Sequence, residues 1–409
     1  MTAFELTAEA ARRALRPDDS RADADDETIV ERYALIVWSH LTEPGDGAAG
    51  RLIRELGAAG ALRTAMGGAR GDALRSASAG MVLTTDELLK GRSRWLPRLS
   101  QDAVAVSLRI AAANGVQIVT RADDHWPGQL DDLDDHAPLC LWLRGEPSIL
   151  GRLQPSVALV GARAATSYGD HVAIELSADL AGSGIPVVSG GAYGIDGAAH
   201  RAAMTVGGVT VALLAGGADR AYPAGHTQLI NRMAEVGAVV SEVPCGSAPT
   251  KWRFLQRNRL IAALSTATVV VEAGWRSGSL NTAAHAAVLS RGLGAVPGPI
   301  TSAASAGTHR LLREFGAQCI TSAADIRELL GVADERVGHH GATGADPRPR
   351  TDETTRVRDA LSTRAWRDAD DLARRCGMAR EEVEVVLGIL LLEGQVVRSG
   401  TGWRSAVRR

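Results

Sequence analysis

Lysine is almost missing from this 409-residue chain, which holds only Lys90 and Lys251. Aromatic residues make up 4%, and the four cysteines, Cys140, Cys245, Cys319 and Cys376, lie far apart with no C-x-x-C pair. That spacing suggests neither a zinc site nor a disulfide framework, so no metal and a reduced, cytoplasmic setting are expected. No apolar run approaches the ~18 residues of a membrane span, and the N-terminal "MTAFELTAEAARRALRPDDS" has no apolar core of a signal peptide. No G-x-G-x-x-G fingerprint follows a strand, which disfavours a dinucleotide, and no cofactor is expected. Also lacking is any strongly basic region. Residues 1–155 carry a net charge of −5, residues 156–330 of +2 and residues 331–409 of +1. Binding to a nucleic acid would therefore have to be focused on a local patch.

What is present is ordinary for a globular protein of two or three domains: 45% hydrophobic and 22% charged residues. Residues 27–110 read as helices. In "ETIVERYALIVWSHL", Ile29, Tyr33, Ile36, Val37, Trp38 and Leu41 fall near one face, and Pro44–Asp46 stops the run. Between 115 and 145 a strand, a turn-rich loop and a second strand at Leu139–Leu143 are expected. The acidic cluster Asp131, Asp132, Asp134 and Asp135 has no calcium-loop spacing and reads as a solvated loop.

From Val157 the texture changes. "VALVG", "IPVVSG", "VTVALLAG", "AVVSEVP", "ATVVVEAG" and "LGAVPG" are short β-branched runs closed by turn residues, with helical segments between them. This alternation predicts an α/β fold with a doubly wound, parallel, Rossmann-like sheet. Ligand loops then belong at the carboxyl ends of the strands. The span 331–353 is rich in Gly and Pro and reads as a flexible linker. Three helices and a hairpin after it, in 354–409, have the plan of a winged helix.

Three loops have the chemistry of anion seats. In "SVALVGARAATSYG", loop amides and Arg163 can hold a phosphate. In "VVSGGAYGIDGAAHRAA", Gly190, Gly191 and Gly194 leave room for a ligand backbone, and Asp196 can cap the following helix at Ala198 or Ala199. His200 there packs against the sheet or acts in chemistry. In "ATVVVEAGWRSGSLNTAAHAA", Ser277, Gly278 and Ser279 open a helix, while Glu272 is either a catalytic carboxylate or, as we prefer, a partner of Arg257 or Arg259. Finally, "KWRFLQRNRLIA" gathers Lys251, Arg253, Arg257 and Arg259 around Trp252 and Phe254. A solvated basic helix explains such charges. A groove for a single strand explains also the aromatics and the glycine seats, because unpaired bases need a flat apolar surface beside a track of cations.

Taken in order, "VGAR … SGGAYGIDGAAH … YP … SEVP … FLQRNRLIAALS … VVVEA … RSGSLNTA … AVPG" resembles the DNA-processing protein A family (DprA, also called Smf). The likeness covers about residues 115–330. It implies three parts: an N-terminal helical domain of SAM or helix-hairpin-helix kind at 1–110, a Rossmann-like domain at 111–330, and a winged helix. It implies a single-stranded DNA-binding protein, not an enzyme, that dimerises, protects incoming DNA and helps load the RecA recombinase in natural transformation. By position, it implies that Arg163 and Lys251 contact phosphates and Phe254 lines a base pocket, with Arg257, Asn258 and Arg259 shaping the groove. Two basic positions common in the family hold Tyr193 and Ala224 here, and Tyr193 can stack on a base instead. It further implies a symmetric dimer through "GTHRLLREFGAQCI", with His309, Leu312 and Ile320 at the interface; Leu312 faces either a partner or the sheet. Two rival readings are a phosphoribohydrolase-type enzyme, whose acidic positions are Asn281 and Thr282 here, and a ligand-sensing transcription factor. Against the latter, "AREEVEVVLGILLLE" sets Glu381, Glu382, Glu384 and Glu393 against Arg380, and basic residues lie instead on the wing and tail at Arg398, Arg404, Arg408 and Arg409.

Overall fold

The computed structural model describes residues 4–15, 24–67, 83–332 and 353–406. It falls into two compact units, divided at Asp334. The expected linker therefore lies almost wholly outside the described residues, as do Arg408 and Arg409.

The first unit opens with helices α1 (Ala8–Leu15), α2 (Asp26–Leu41), α3 (Gly47–Met66), α4 (Thr85–Trp95) and α5 (Gln101–Ala113). Side-chain caps set their starts: Asp25 accepts from Thr28 N, Asp46 from Ala48 N and Ala49 N, and Thr84 forms a capping box with Glu87. Tyr33, Ile36, Val37, Trp38 and Leu41 are buried, as the helical spacing predicted. Trp38 and Trp95 meet edge to face with ring centres 5.0 Å apart.

Nine strands form one sheet in the order β1-β2-β6-β5-β4-β3-β7-β8-β9. They are β1 (Val116–Val119), β2 (Leu141–Gly145), β3 (Val157–Val160), β4 (Val187–Ser189), β5 (Thr210–Leu214), β6 (Ala238–Ser241), β7 (Ala267–Val270), β8 (Gly292–Ala295) and β9 (Gln318–Cys319). From β6 to β9 the pairing is parallel. β1 and β2 add antiparallel to the β6 edge, so the sheet is mixed rather than purely parallel. The loop between them is not simply solvated: Asp131 pairs with Arg121, Asp132 with Arg291 and Asp135 with Arg54.

The crossovers are α6 (Ser167–Gly182), α7 (Ile195–Thr205), α8 (Thr227–Val236), α9 (Lys251–Leu264), α10 (Ser279–Val288) and α11 (Ala306–Glu314), with α12 (Ala323–Leu329) after β9. Both faces of the sheet are covered, which explains why its strands read as unbroken apolar runs. On β3, Ala158 and Val160 join the core with Leu260, Ile261 and Leu264 of α9. Val157 and Leu159 join the opposite core with Leu176 and Leu180 of α6 and Ala199 of α7. The N-terminal helices are not a detached domain. Their core is continuous with Trp142 of β2 and with Ala218 and Cys245 from the loops around β6.

From β3 the chain steps outward through β4, β5 and β6. It then returns beside β3 as β7 and proceeds the other way. The reversal at β3 leaves a crevice at the carboxyl ends of β3, β4 and β7, the place where open α/β sheets bind ligands.

The second unit holds α13 (Glu353–Ala360), α14 (Ala369–Cys376), α15 (Arg380–Leu392) and the hairpin β10 (Val396–Ser399) with β11 (Gly402–Ser405). Gly377, left-handed at φ 62°, ends α14, a conformation that glycine adopts without strain. Val357, Leu372, Val383, Leu387, Leu390 and Trp403 form its core, and Arg367 bridges to Trp403 as a third strand position. Three helices and a wing are thus in place.

Candidate nucleic-acid interface

A pocket of about 700 Å³ occupies the crevice. The loop after β3 supplies Gly161, Ala162 and Arg163; that after β4, Ala192; and that after β7, Gly274, Arg276, Ser277 and Gly278. The first turns of α7, α9 and α10 add Asp196, Lys251 and Ser279. Each such turn carries the positive end of a helix dipole, so the floor suits an anion. Thr250 caps α9 by accepting from Arg253 N, and Ser277 and Ser279 hydroxyls share a 2.8 Å hydrogen bond at the start of α10.

Phe254 forms the apolar wall. The Arg163 guanidinium lies 4.7 Å from its ring centre, and Tyr222 packs on it at 5.6 Å. Arg163, Lys251 and Arg276 are exposed and make no ion pair among the described residues. An unneutralised cation is what a phosphate can use.

Arg257 is different in kind. It is buried, and its Nη1 donates to the carbonyls of Gly190 (2.7 Å) and Leu213. Burial pulls its pKa down to about 10 despite the attraction of Asp196. Asp196 itself is held above the usual carboxylate range by burial, opposed by Arg257 and by backbone N–H donors at Ala192, Gly190 and Gly161. The pair is scaffolding beneath the pocket.

Several expected roles need correction. Asp196 does not cap α7 at Ala198 or Ala199; it accepts from Gly190 N at 3.1 Å and closes the loop between β4 and α7 on itself. Gly190 makes room for Arg257 rather than for a ligand, since a Cβ there would land on the guanidinium. Gly194, at φ +73°, brings α7 against the carbonyls of Ala162 and Arg163, and Gly191 has φ +66°. Glu272 pairs with neither arginine: it is buried and accepts from Thr166 N at 2.9 Å and Thr166 Oγ1 at 2.6 Å. Arg259 pairs instead with Glu242 at 2.6 Å. Arg253 makes a fork to Glu43 of the N-terminal helices, 2.9 Å at each prong, and leaves the pocket wall. Asn258 Nδ2 donates to Gly278 O and Asn281 Oδ1, bracing the start of α10.

Tyr193 stands outside the wall, half exposed, with its ring edge-on to His226 at 4.7 Å. His200 is fully buried and bonds Thr210 Oγ1 at 2.7 Å, so it packs against the sheet. Ile320 cannot present itself to a partner; it is fully buried beneath Gly294. Leu312 is partly buried against the sheet core, and His309 bonds Gly298 O at 2.9 Å. Sequence reasoning missed Arg276 and Tyr222. A cation directly before the Ser277–Ser279 seat was the available signal for the first.

A Rossmann-like sheet with a cation-lined, aromatic-walled crevice at its switch point, followed by a winged helix, is the architecture that the comparisons with known proteins place in a family. Residues 117–331 match the family model described as DNA recombination-mediator protein A, and 341–401 match the DprA winged helix domain. A DNA processing protein DprA from Mycobacterium tuberculosis is 44% identical over 325 residues, spanning 75% of this chain and 83% of that protein. The DNA processing protein DprA of Bacillus subtilis is 35% identical, over 54% of this chain and 75% of its own. The crystal structure of DprA from Streptococcus pneumoniae superposes with a TM-score of 0.57 at 28% identity, covering 73% of this chain and 96% of that one. This chain belongs to the DprA family of DNA-processing proteins.

Proposed function

We propose that the chain binds single-stranded DNA in the crevice and is a binding protein rather than an enzyme. The observation that carries this reading is the grouping of Arg163, Lys251 and Arg276, none in an ion pair among the described residues, around the ring of Phe254. Phosphates can meet the cations and helix N-termini while an unpaired base lies on the ring; a duplex has no splayed base to offer. The phosphoribohydrolase alternative needs a carboxylate in the crevice to act as acid or base. Glu272 is turned away onto Thr166, and Asn281 and Thr282 carry no charge.

In this reading the protein acts in the cytoplasm, where its four free cysteines stay reduced. It protects incoming strands, helps load RecA in natural transformation and works as a homodimer, whose second site would make long strands bind more tightly. The winged helix serves protein contact. On α15, Glu381, Glu382 and Glu384 are exposed, and its Arg380 is engaged by Asp370 and Glu384, so the helix would be repelled by duplex phosphates. Titrating the purified protein with single-stranded, duplex and mononucleotide ligands tests the proposal. Sequence-tolerant preference for the single strand is expected. Tighter binding of a mononucleotide, with release of its base, would favour the enzyme.

A further inference from the structure

Of the six tryptophans of the first unit, two stand more than half exposed. Trp252 is 55% and Trp275 58% exposed, whereas Trp38, Trp95 and Trp142 are fully buried. Each exposed ring is bonded in sequence to a cation of the pocket wall, as Lys251–Trp252 and as Trp275–Arg276. Leaving so large an apolar surface in water forgoes much of what burial gives, so two such rings, each next in sequence to a residue that lines one pocket, call for an occupant.

The backbone under Trp252 and the ring of Trp275 are also held. Trp252 lies in the first turn of α9, which the Thr250 cap and the Arg253–Glu43 fork fix in place. This gives a purpose to the arginine that leaves the pocket wall. The Arg310 guanidinium sits 5.3 Å from the Trp275 ring centre and 5.4 Å from that of Phe315, and Glu314 holds it at 2.8 Å. A guanidinium on one side steadies the indole, and more than half of Trp275 still faces solvent.

Resting on the single-strand reading above, we propose that Trp252 and Trp275 are two stacking platforms at the pocket rim. They carry the bases on either side of the nucleotide held in the pocket. Every base has a π-face, so the platforms add affinity without sequence preference, and the neighbouring Lys251 and Arg276 take the adjoining phosphates. The occupant is thus a strand longer than the pocket itself.

The test compares Trp252→Ala and Trp275→Ala with the parent. Probes are a labelled thymidine mononucleotide, which can fill the pocket alone, and a labelled oligothymidylate of about 20 nucleotides, which exceeds one binding site. Each variant should bind the mononucleotide as the parent does and lose about 5- to 150-fold on the long strand. The salt slope should be unchanged, because stacking releases no counterions. Trp252→Phe and Trp275→Phe, which keep a flat ring, should recover most of the loss; recovery also excludes misfolding as its cause. Long-strand affinity equal to the parent's overturns the proposal and leaves the pocket standing. So does a Trp275→Ala protein that passes from dimer to monomer, which would assign that ring to a second copy of the chain. A parent that binds neither probe removes both readings.

Discussion

The availability of each arginine can be read through salt. The crevice offers three cations without acidic partners among the described residues, Arg163, Lys251 and Arg276. On a single strand each neutralised phosphate contributes about −0.7 to the slope of log affinity against log salt, so the three together give about −2. Raising salt from about 50 to about 200 mM should then weaken parental binding about 20-fold. Arg163→Ala should leave a slope near −1.4 and a loss of only about 7-fold over the same range, on top of a weaker starting affinity. Arg253→Ala should behave otherwise. Its guanidinium is already engaged by Glu43, with both prongs at 2.9 Å, a carboxylate that Arg98 shares, and by the Ala248 carbonyl, so no phosphate contact disappears. The slope should stay at about −2, and the change should appear in the thermal melt as the N-terminal helices lose an anchor. Fluorescence anisotropy with a labelled oligothymidylate at four or more salt concentrations reads both quantities. If Arg253→Ala flattens the slope as much as Arg163→Ala, the fork opens on binding and the division into free and engaged arginines is wrong.

Other outcomes follow from the same geometry. Phe254→Ala should weaken strand binding by about 1–3 kcal/mol while keeping the parental salt slope, as measured in the same titration; a flattened slope would mean that Arg163 had been displaced with its ring. Gly190→Ala should lower stability by about 1–3 kcal/mol, since the new methyl strikes the Arg257 guanidinium; an unchanged denaturant midpoint would refute that packing. Burial, with the nearby charges of His226, Arg257 and Arg201, pulls the pKa of His200 from 6.5 to about 3. The unfolded chain therefore binds a proton there that the folded one does not. Stability should fall as pH drops from about 6.5 toward 3, by up to about 1.4 kcal/mol per pH unit from this group. In His200→Asn that part of the acid dependence should vanish from urea unfolding curves, and an identical slope would rule it out.

The strands, the helices between them and the winged helix were legible because each is written in local periodicity. Val157 to Val160 are adjacent residues that alternate between two covered faces, and no distant part of the chain is needed to see it. The placing of Arg163, Lys251, Phe254 and the Ser277–Ser279 seat at one crevice was legible in the same way, since loops at strand ends converge wherever a parallel sheet reverses its order. Which charges remain free was not legible. Arg253 and Arg257 are four residues apart on one helix, yet one is spent on Glu43, 210 positions away, and the other on carbonyls at Gly190 and Leu213. Glu272 is likewise taken by Thr166, 106 positions away. Local sequence determines what a residue can offer and which face it takes. Whether a charge is offered to a ligand or neutralised inside the fold depends on groups brought within a few ångströms by the long-range topology, and only the tertiary structure decides it.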